Sequence, residues 1–136
     1  MSTRLSICIP TYNREPFLRT LINSIIEQAD PSCVQIAISD NNSSDRTMEL
    51  VDEFKAIYPN IVYFRWPENM GADRNYLKAV EIANGDYCWL MGSDDFVPAG
   101  AIDDILLRLE NSDIYMIGRV ESDFHLNKIR DCCWLD

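Results

Sequence analysis

Apolar residues fall along the chain in short runs separated by amphipathic stretches. Leu5 to Ile9 is one such run, closed by Pro10, and Val34 to Ser39, Ile61 to Trp66, Tyr87 to Met91 and Ile114 to Ile117 repeat its character. Runs of this length, several rich in β-branched or aromatic residues, predict five mostly buried strands. In the first gap, Phe17, Leu18, Leu21, Ile22, Ile25 and Ile26 recur at intervals of one, three and four, the stripe of an amphipathic helix. Leu50, Val51, Phe54, Ile57 and Tyr58 form a second stripe, with Asp45 as its N-cap. Tyr76, Leu77, Val80 and Ala83 form a third, stopped by Asn84-Gly85 at a C-cap position, and Ile102, Ile105, Leu106 and Leu109 form a fourth.

Strands alternating with helices call for an α/β fold, a Rossmann-like, mainly parallel sheet with helices on both faces. Right-handed crossovers place every strand-to-helix loop on one edge, and ligands of such sheets sit beyond the carboxyl ends of the strands. The segments that collect there are Pro10 to Arg14, Asp40 to Asp45, Pro67 to Asn75 and Gly92 to Asp95.

Composition narrows the choice. The 136 residues suffice for one packed domain, and no apolar stretch is long enough to span a membrane. A formal charge of −10 argues against nucleic acid as a partner and requires local compensation wherever a phosphate ligand binds. The N-terminus lacks the length and cleavage pattern of a signal peptide, which reads as cytoplasmic. Five cysteines agree, Cys8, Cys33 and Cys88 serving as small hydrophobes. Adjacent Cys132 and Cys133 near His125 lack the spacing of a zinc site.

Neither glycine signature of the common phosphate-binding folds is present, so a metal ion is the natural alternative. Ser93-Asp94-Asp95 supplies carboxylate oxygens directly after a predicted strand, preceded by Gly92, which removes a side chain. An acidic pair is otherwise a common solvated turn. Asp40 has two readings: an Asx turn opening an Asn- and Ser-rich segment, or a strand-end acceptor for a ligand N–H. Tyr12 is loop filler or a ring face for a base. Arg74 begins a helix, where a cation is disfavoured unless solvent or an anion holds it.

Ile9-Pro10-Thr11-Tyr12-Asn13-Arg14, Ile38 to Asp45, Asn69-Met70-Gly71 with Arg74-Asn75, Ala83 to Tyr87 and Ser93-Asp94-Asp95 together resemble the family 2 glycosyltransferases of GT-A fold, from the first strand to about Leu109. The resemblance implies transfer of a sugar from a nucleotide-diphosphate donor to an acceptor hydroxyl, inverting and with Mg²⁺ or Mn²⁺, in polysaccharide, lipopolysaccharide or glycolipid synthesis. It implies that Pro10, Thr11 and Tyr12 line the base pocket, that Asp40 accepts a hydrogen bond from the base, and that Arg74 faces the nucleotide. Asp94 would lie near the ribose and Asp95 would ligate the metal. A carboxylate at Asp40 favours a UDP or dTDP donor. The acceptor would be a sugar or lipid-linked sugar, and peripheral attachment to the inner membrane face and a homo-oligomer are both compatible.

Two segments depart from the family pattern. The usual Asp-Asp-Gly-Ser turn is Asp40-Asn41-Asn42-Ser43 here, and Gly92 stands where many members carry another Asp. Glu121, Asp123, Asp131 and Asp136 sit in no motif that assigns a catalytic base, which is expected beyond Asp136. Residues 1–118 therefore read as the nucleotide-sugar-binding core, and 119–136 as the truncated start of an acceptor-side segment. A nucleotide-sugar-binding module without turnover is the alternative. A nucleotidyltransferase would need a glycine-rich basic loop after the first strand, and Pro10 to Arg14 has no glycine.

Overall fold

The computed structural model describes residues 2–132. Four strands, β1 (Leu5–Thr11), β2 (Val34–Asp40), β3 (Ile61–Arg65) and β4 (Tyr87–Leu90), form a wholly parallel sheet in the order β3-β2-β1-β4. The central strands β1 and β2 are buried at every position, as strands covered on both faces must be. Helices α1 (Glu15–Ile26), α2 (Thr47–Lys55), α3 (Ala72–Glu81) and α4 (Ala101–Arg108) follow the strands in turn.

The sheet has two unlike faces. Ile7, Ile9, Ile36 and Ile38 point into the main core, where Leu18, Leu21 and Ile22 of α1, Leu50 and Phe54 of α2 and Ile102 of α4 meet them. The opposite face presents the small residues Cys8 and Ala37, and α3 packs closely there through Ala79. Two polar residues buried in the central strands pair with each other: the Ser6 hydroxyl donates to Gln35 Oε1 at 2.7 Å, and these two oxygens accept the backbone N–H groups of Gly85 and Asn84, respectively.

Four sequence expectations change. The third helix is rotated from its predicted stripe: Asn75 and Ala79 are buried, whereas Tyr76, Leu77 and Val80 are exposed. A face of Cys8, Ala37 and Ser39 selects alanine and an amide over large aliphatic side chains. Asn84-Gly85 lies beyond the helix end, and its glycine answers close approach, since a Cβ there would lie 2.7 Å from the Ser6 backbone nitrogen. Cys88 is exposed, because α3 covers β1 and β2 and leaves β4 open; Cys8 is buried and its thiol is pushed up by that burial, with Cys88 adding to the effect.

The fourth change is that Ile114 to Ile117 form no strand. The turn after α4 folds around Tyr115, whose hydroxyl donates to Arg108 O and accepts the N–H groups of Asn111 and Ser112. The ring of Tyr115 then packs edge-on against Tyr87, 6.1 Å between centroids, so side chains rather than a backbone ladder join this segment to β4. Beyond it, β5 (Arg119–Ser122) and β6 (Lys128–Cys132) make a separate antiparallel hairpin, attached to α1 through an edge-on contact of Phe124 with Phe17. Among the described residues no helix is long and apolar enough to cross a membrane.

Candidate functional site

The chain winds from β1 outward to β3, then returns to place β4 on the other side of β1, which creates a switch point at the carboxyl ends of β1 and β4. A cleft of about 390 Å³ opens there. Pro10, Thr11 and Tyr12 at the end of β1, Asn41 after β2, Asn75 on α3 and Asp94 after β4 line it. Four of the sequence candidates are thus brought together. Thr11 is 2% exposed, and its hydroxyl is buried without a hydrogen-bond partner. Such an orphaned group is uncommon in a folded chain. Tyr12, by contrast, exposes nearly half its surface and offers a free ring face.

The loops around the cleft are cross-tied. Asn13 and Asn42 both adopt positive φ, a conformation asparagine tolerates. The Asn13 backbone N–H donates to Ser43 Oγ, while its Oδ1 accepts the Ser44 N–H at 2.7 Å. Asp45 accepts the backbone N–H of Glu15 and that of Thr47, joining the starts of α1 and α2. Burial pushes the Asp45 pKa up, but the Thr47 hydroxyl and these N–H groups outweigh it and hold the carboxyl below its ordinary range. The residue lies one position before the N-cap of α2.

Asp40 turns inward. It is fully buried, its Oδ1 accepts the Ser43 N–H and hydroxyl at 2.9 and 2.6 Å, and its Oδ2 accepts the Tyr63 hydroxyl at 2.5 Å, with Arg65 Nε at 3.7 Å. Burial and the bond to Asp40 push the Tyr63 hydroxyl pKa up. These contacts are those of the Asx-turn reading, and Asp40 does not line the cleft. Its neighbour Asn41 does. Asn41 Oδ1 accepts the Met70 N–H at 2.8 Å and its Nδ2 donates to Asn69 Oδ1 at 2.9 Å, leaving one acceptor and one donor site on the amide. The sequence signal for it is the strand period of two: Ala37 and Ser39 face α3, and Asn41 continues that row, whereas Asp40 continues the row of Ile36 and Ile38. Asn75, also missed, bonds Ser39 and the Thr11 carbonyl from α3.

The acidic motif closes the cleft. Ser93 is buried, whereas Asp94 and Asp95 are exposed. Gly92 donates its N–H to Asp95 Oδ2, and a Cβ at Gly92 would lie 2.9 Å from Asp94 Oδ1 and 3.5 Å from Asp95 Oδ2. Both carboxylates therefore converge on a space that any side chain at 92 would fill. This all-oxygen pair suits a hard divalent cation that takes one or two carboxylates with phosphate oxygens. Among the described residues no three acidic, histidine or cysteine side chains gather into a protein-only metal cage, and this includes Cys132 and His125; Cys133 lies outside the described residues. Arg14 Nη1 lies 2.9 Å from Asp94 Oδ2.

Arg74 sits exposed in the first turn of α3 and does not line the cleft. Farther along, Glu121 pairs with Arg130, Asp131 pairs with Lys128, and Asp123 accepts the N–H groups of His125 and Asn127 to shape the hairpin turn. Asp136 lies outside the described residues.

Comparison with known proteins agrees with this architecture. An abequosyltransferase, RfbV of Salmonella typhimurium, is 42% identical over 130 residues, covering 93% of this chain and 39% of that protein. Among solved structures, TarS of S. aureus in complex with UDP-GlcNAc superposes with a TM-score of 0.71 at 23% identity, over 77% of this chain and 30% of that one. A mannosyltransferase of Pyrobaculum calidifontis, solved with GDP-Man and Mn²⁺, gives 0.65 at 22% identity over 73% of this chain and 30% of its own. These two share the fold. The chain spans less than half the length of the curated relatives it matches. The family model described as Glycosyl transferase family 2 matches residues 6–131, and the chain belongs to that family.

Proposed function

We propose that this chain forms the nucleotide-sugar site of an inverting, Mg²⁺- or Mn²⁺-dependent glycosyltransferase that acts on an acceptor hydroxyl in cell-envelope polysaccharide synthesis, at the cytoplasmic face of the membrane. The observation that carries the reading is the cleft at the β1–β4 switch point, with the exposed Tyr12 ring, the Asn41 amide and the Asp94 carboxylate lining it and Asp95 beside Asp94 in the loop after β4. Pro10, Thr11 and Tyr12 enclose the base, Tyr12 through its ring face. Asn41 presents the remaining donor and acceptor of its amide, and Asp40 holds the turn that aims it. Arg74 approaches the nucleotide from the start of α3.

Asp94 serves the ribose, and Asp95, with Asp94 beside it, would hold the divalent ion. When bound, that ion supplies the positive charge that stabilises a departing diphosphate. The relatives' names support a sugar donor and the nucleotide-bound neighbours support a nucleoside diphosphate. The general base is assigned to the acceptor-side segment that begins near residue 119.

Calorimetric titration of UDP, dTDP, CDP and GDP, with Mn²⁺ and again with EDTA, tests this reading. Selective heat, with binding much tighter with the metal than in EDTA, is the expected result. A folded chain that binds none of the four overturns it.

A further inference from the structure

We infer that Arg14 is the residue that binds the donor's diphosphate, and that its ion pair with Asp94 is the partner it exchanges for that group; this rests on the nucleotide-sugar reading of the cleft. Among the described residues lining the cleft, Arg14 is the one cation and Asp94 the one carboxylate. The pair reaches from the loop after β1 to the loop after β4, so it crosses the switch point. Arg14 occupies the N-cap of α1, where the positive end of the helix dipole disfavours a cation, and it makes no side-chain cap hydrogen bond there. Solvent and the Asp94 carboxylate hold it there.

Asp94 is a poor permanent partner. Its side chain is 53% exposed and that of Arg14 is 48% exposed, a degree at which an ion pair contributes little to folding and separates readily. A diphosphate offers a planar guanidinium more acceptor oxygens and more charge than one carboxylate does. In a chain of net charge −10, a local cation is also what lets an anion enter. The guanidinium rests 5.7 Å from the centre of the Phe17 ring, which in turn packs against Phe124, so Arg14 keeps an aromatic support while it changes partner. The exchange has a consequence: Asp94 is neutralised while the donor is absent and released towards the ribose when the donor arrives.

Two titrations test this. In the first, inorganic pyrophosphate and the nucleoside, monophosphate and diphosphate of the preferred base are titrated with Mg²⁺ into the wild-type chain, Arg14→Gln and Arg14→Lys, each checked for folding by its thermal melt. Arg14→Gln is expected to leave the nucleoside unchanged and to weaken diphosphate and pyrophosphate by about tenfold, the loss of one charge-assisted hydrogen bond. Arg14→Lys recovers most of it. Equal losses for nucleoside and diphosphate, or no loss, overturn the assignment.

The second titration uses pyrophosphate in EDTA. Asp94→Asn removes the competitor and is expected to tighten binding several-fold, a gain that disappears in the Arg14→Gln background. A gain that persists there reflects charge removal alone and overturns the exchange. If the wild type binds a nucleoside diphosphate with metal and Arg14→Gln matches it, this inference fails while the donor site stands; if the wild type binds none, both fall.

Discussion

Replacing Asp40 separates the two roles open to that residue. Asp40→Ala removes the acceptor of three hydrogen bonds, from the Ser43 N–H, the Ser43 hydroxyl and the Tyr63 hydroxyl, inside a site with no exposure. The Ser43 N–H is not free to turn away, because Asn13 holds the Ser43 hydroxyl oxygen and the Ser44 N–H, and Arg65 donates to the Ser43 carbonyl. Tyr63 and Arg65 reach partial solvent and recover part of their loss. An unsatisfied buried donor costs about 1–3 kcal/mol, so the substitution is expected to cost roughly 3–5 kcal/mol. That is a large share of the roughly 5–15 kcal/mol of a typical domain. Asp40→Asn keeps one oxygen for Ser43 and sets an amide against a Tyr63 hydroxyl that can rotate to accept, for about 1–2 kcal/mol. Urea unfolding followed by tryptophan fluorescence measures both. If Asp40→Ala unfolds at the wild-type midpoint while discrimination among UDP, CDP and GDP vanishes, the inward placement of Asp40 is refuted and it reads the base directly.

Asp45→Ala is expected to cost about 0.5–2 kcal/mol at neutral pH. Because the folded pKa of Asp45 lies below its unfolded value, that contribution is complete above about pH 4 and is lost as pH falls through the folded value, so denaturation at pH 7 and pH 3 should show the variant's deficit shrinking with acid. Gly85→Ala places a Cβ 2.7 Å from the Ser6 nitrogen and 2.9 Å from the Leu5 carbonyl carbon; the backbone must shift, and urea midpoints should report a loss of about 1–3 kcal/mol. Asp95→Asn should weaken Mn²⁺-dependent nucleotide binding far more than binding in EDTA, and equal losses in calorimetry would remove Asp95 from the metal.

Strands β1 to β4 and helices α1, α2 and α4 are legible in the sequence because each turns apolar side chains to the core at a clear period, as Leu18, Leu21, Ile22 and Ile25 do on α1 and the half-buried Tyr87 and Trp89 do on β4. Where burial depends on small or polar residues, the hydrophobic pattern misleads. The stripe of Tyr76, Leu77 and Val80 outweighs Asn75 and Ala79 by hydrophobicity, yet only the latter fit the shallow surface of Cys8 and Ala37. Ile114 to Ile117 has the composition of a strand, but Tyr115 uses its ring and hydroxyl to fold the segment back onto α4.

In the site, Thr11, Tyr12 and Asp94 are visible as residues beyond strand ends. Asp40 and Asn41 differ by one position, and a one-residue step moves a strand side chain to the opposite face. A charged group drew the functional reading, whereas the pleat gives the cleft to the amide. Arg14 shows in the sequence only as the end of a motif, because its partner lies 80 residues away.

The proposed donor site requires a nucleoside diphosphate to occupy the cleft between the ends of β1 and β4. A larger groove, about 910 Å³, runs along the open edge of β4 past Tyr87, Trp89, Tyr115 and Ile117, and supplies the natural alternative. Amide chemical-shift mapping distinguishes them in a chain of 15.7 kDa: nucleoside diphosphate is added with Mg²⁺ and every backbone signal is followed. Shifts concentrated at Thr11, Tyr12, Asn41, Ser93 and Asp94 are the predicted result. Shifts confined to Trp89, Tyr115 and Ile117 would place the nucleotide in the groove along β4 and remove the donor site from the β1–β4 cleft.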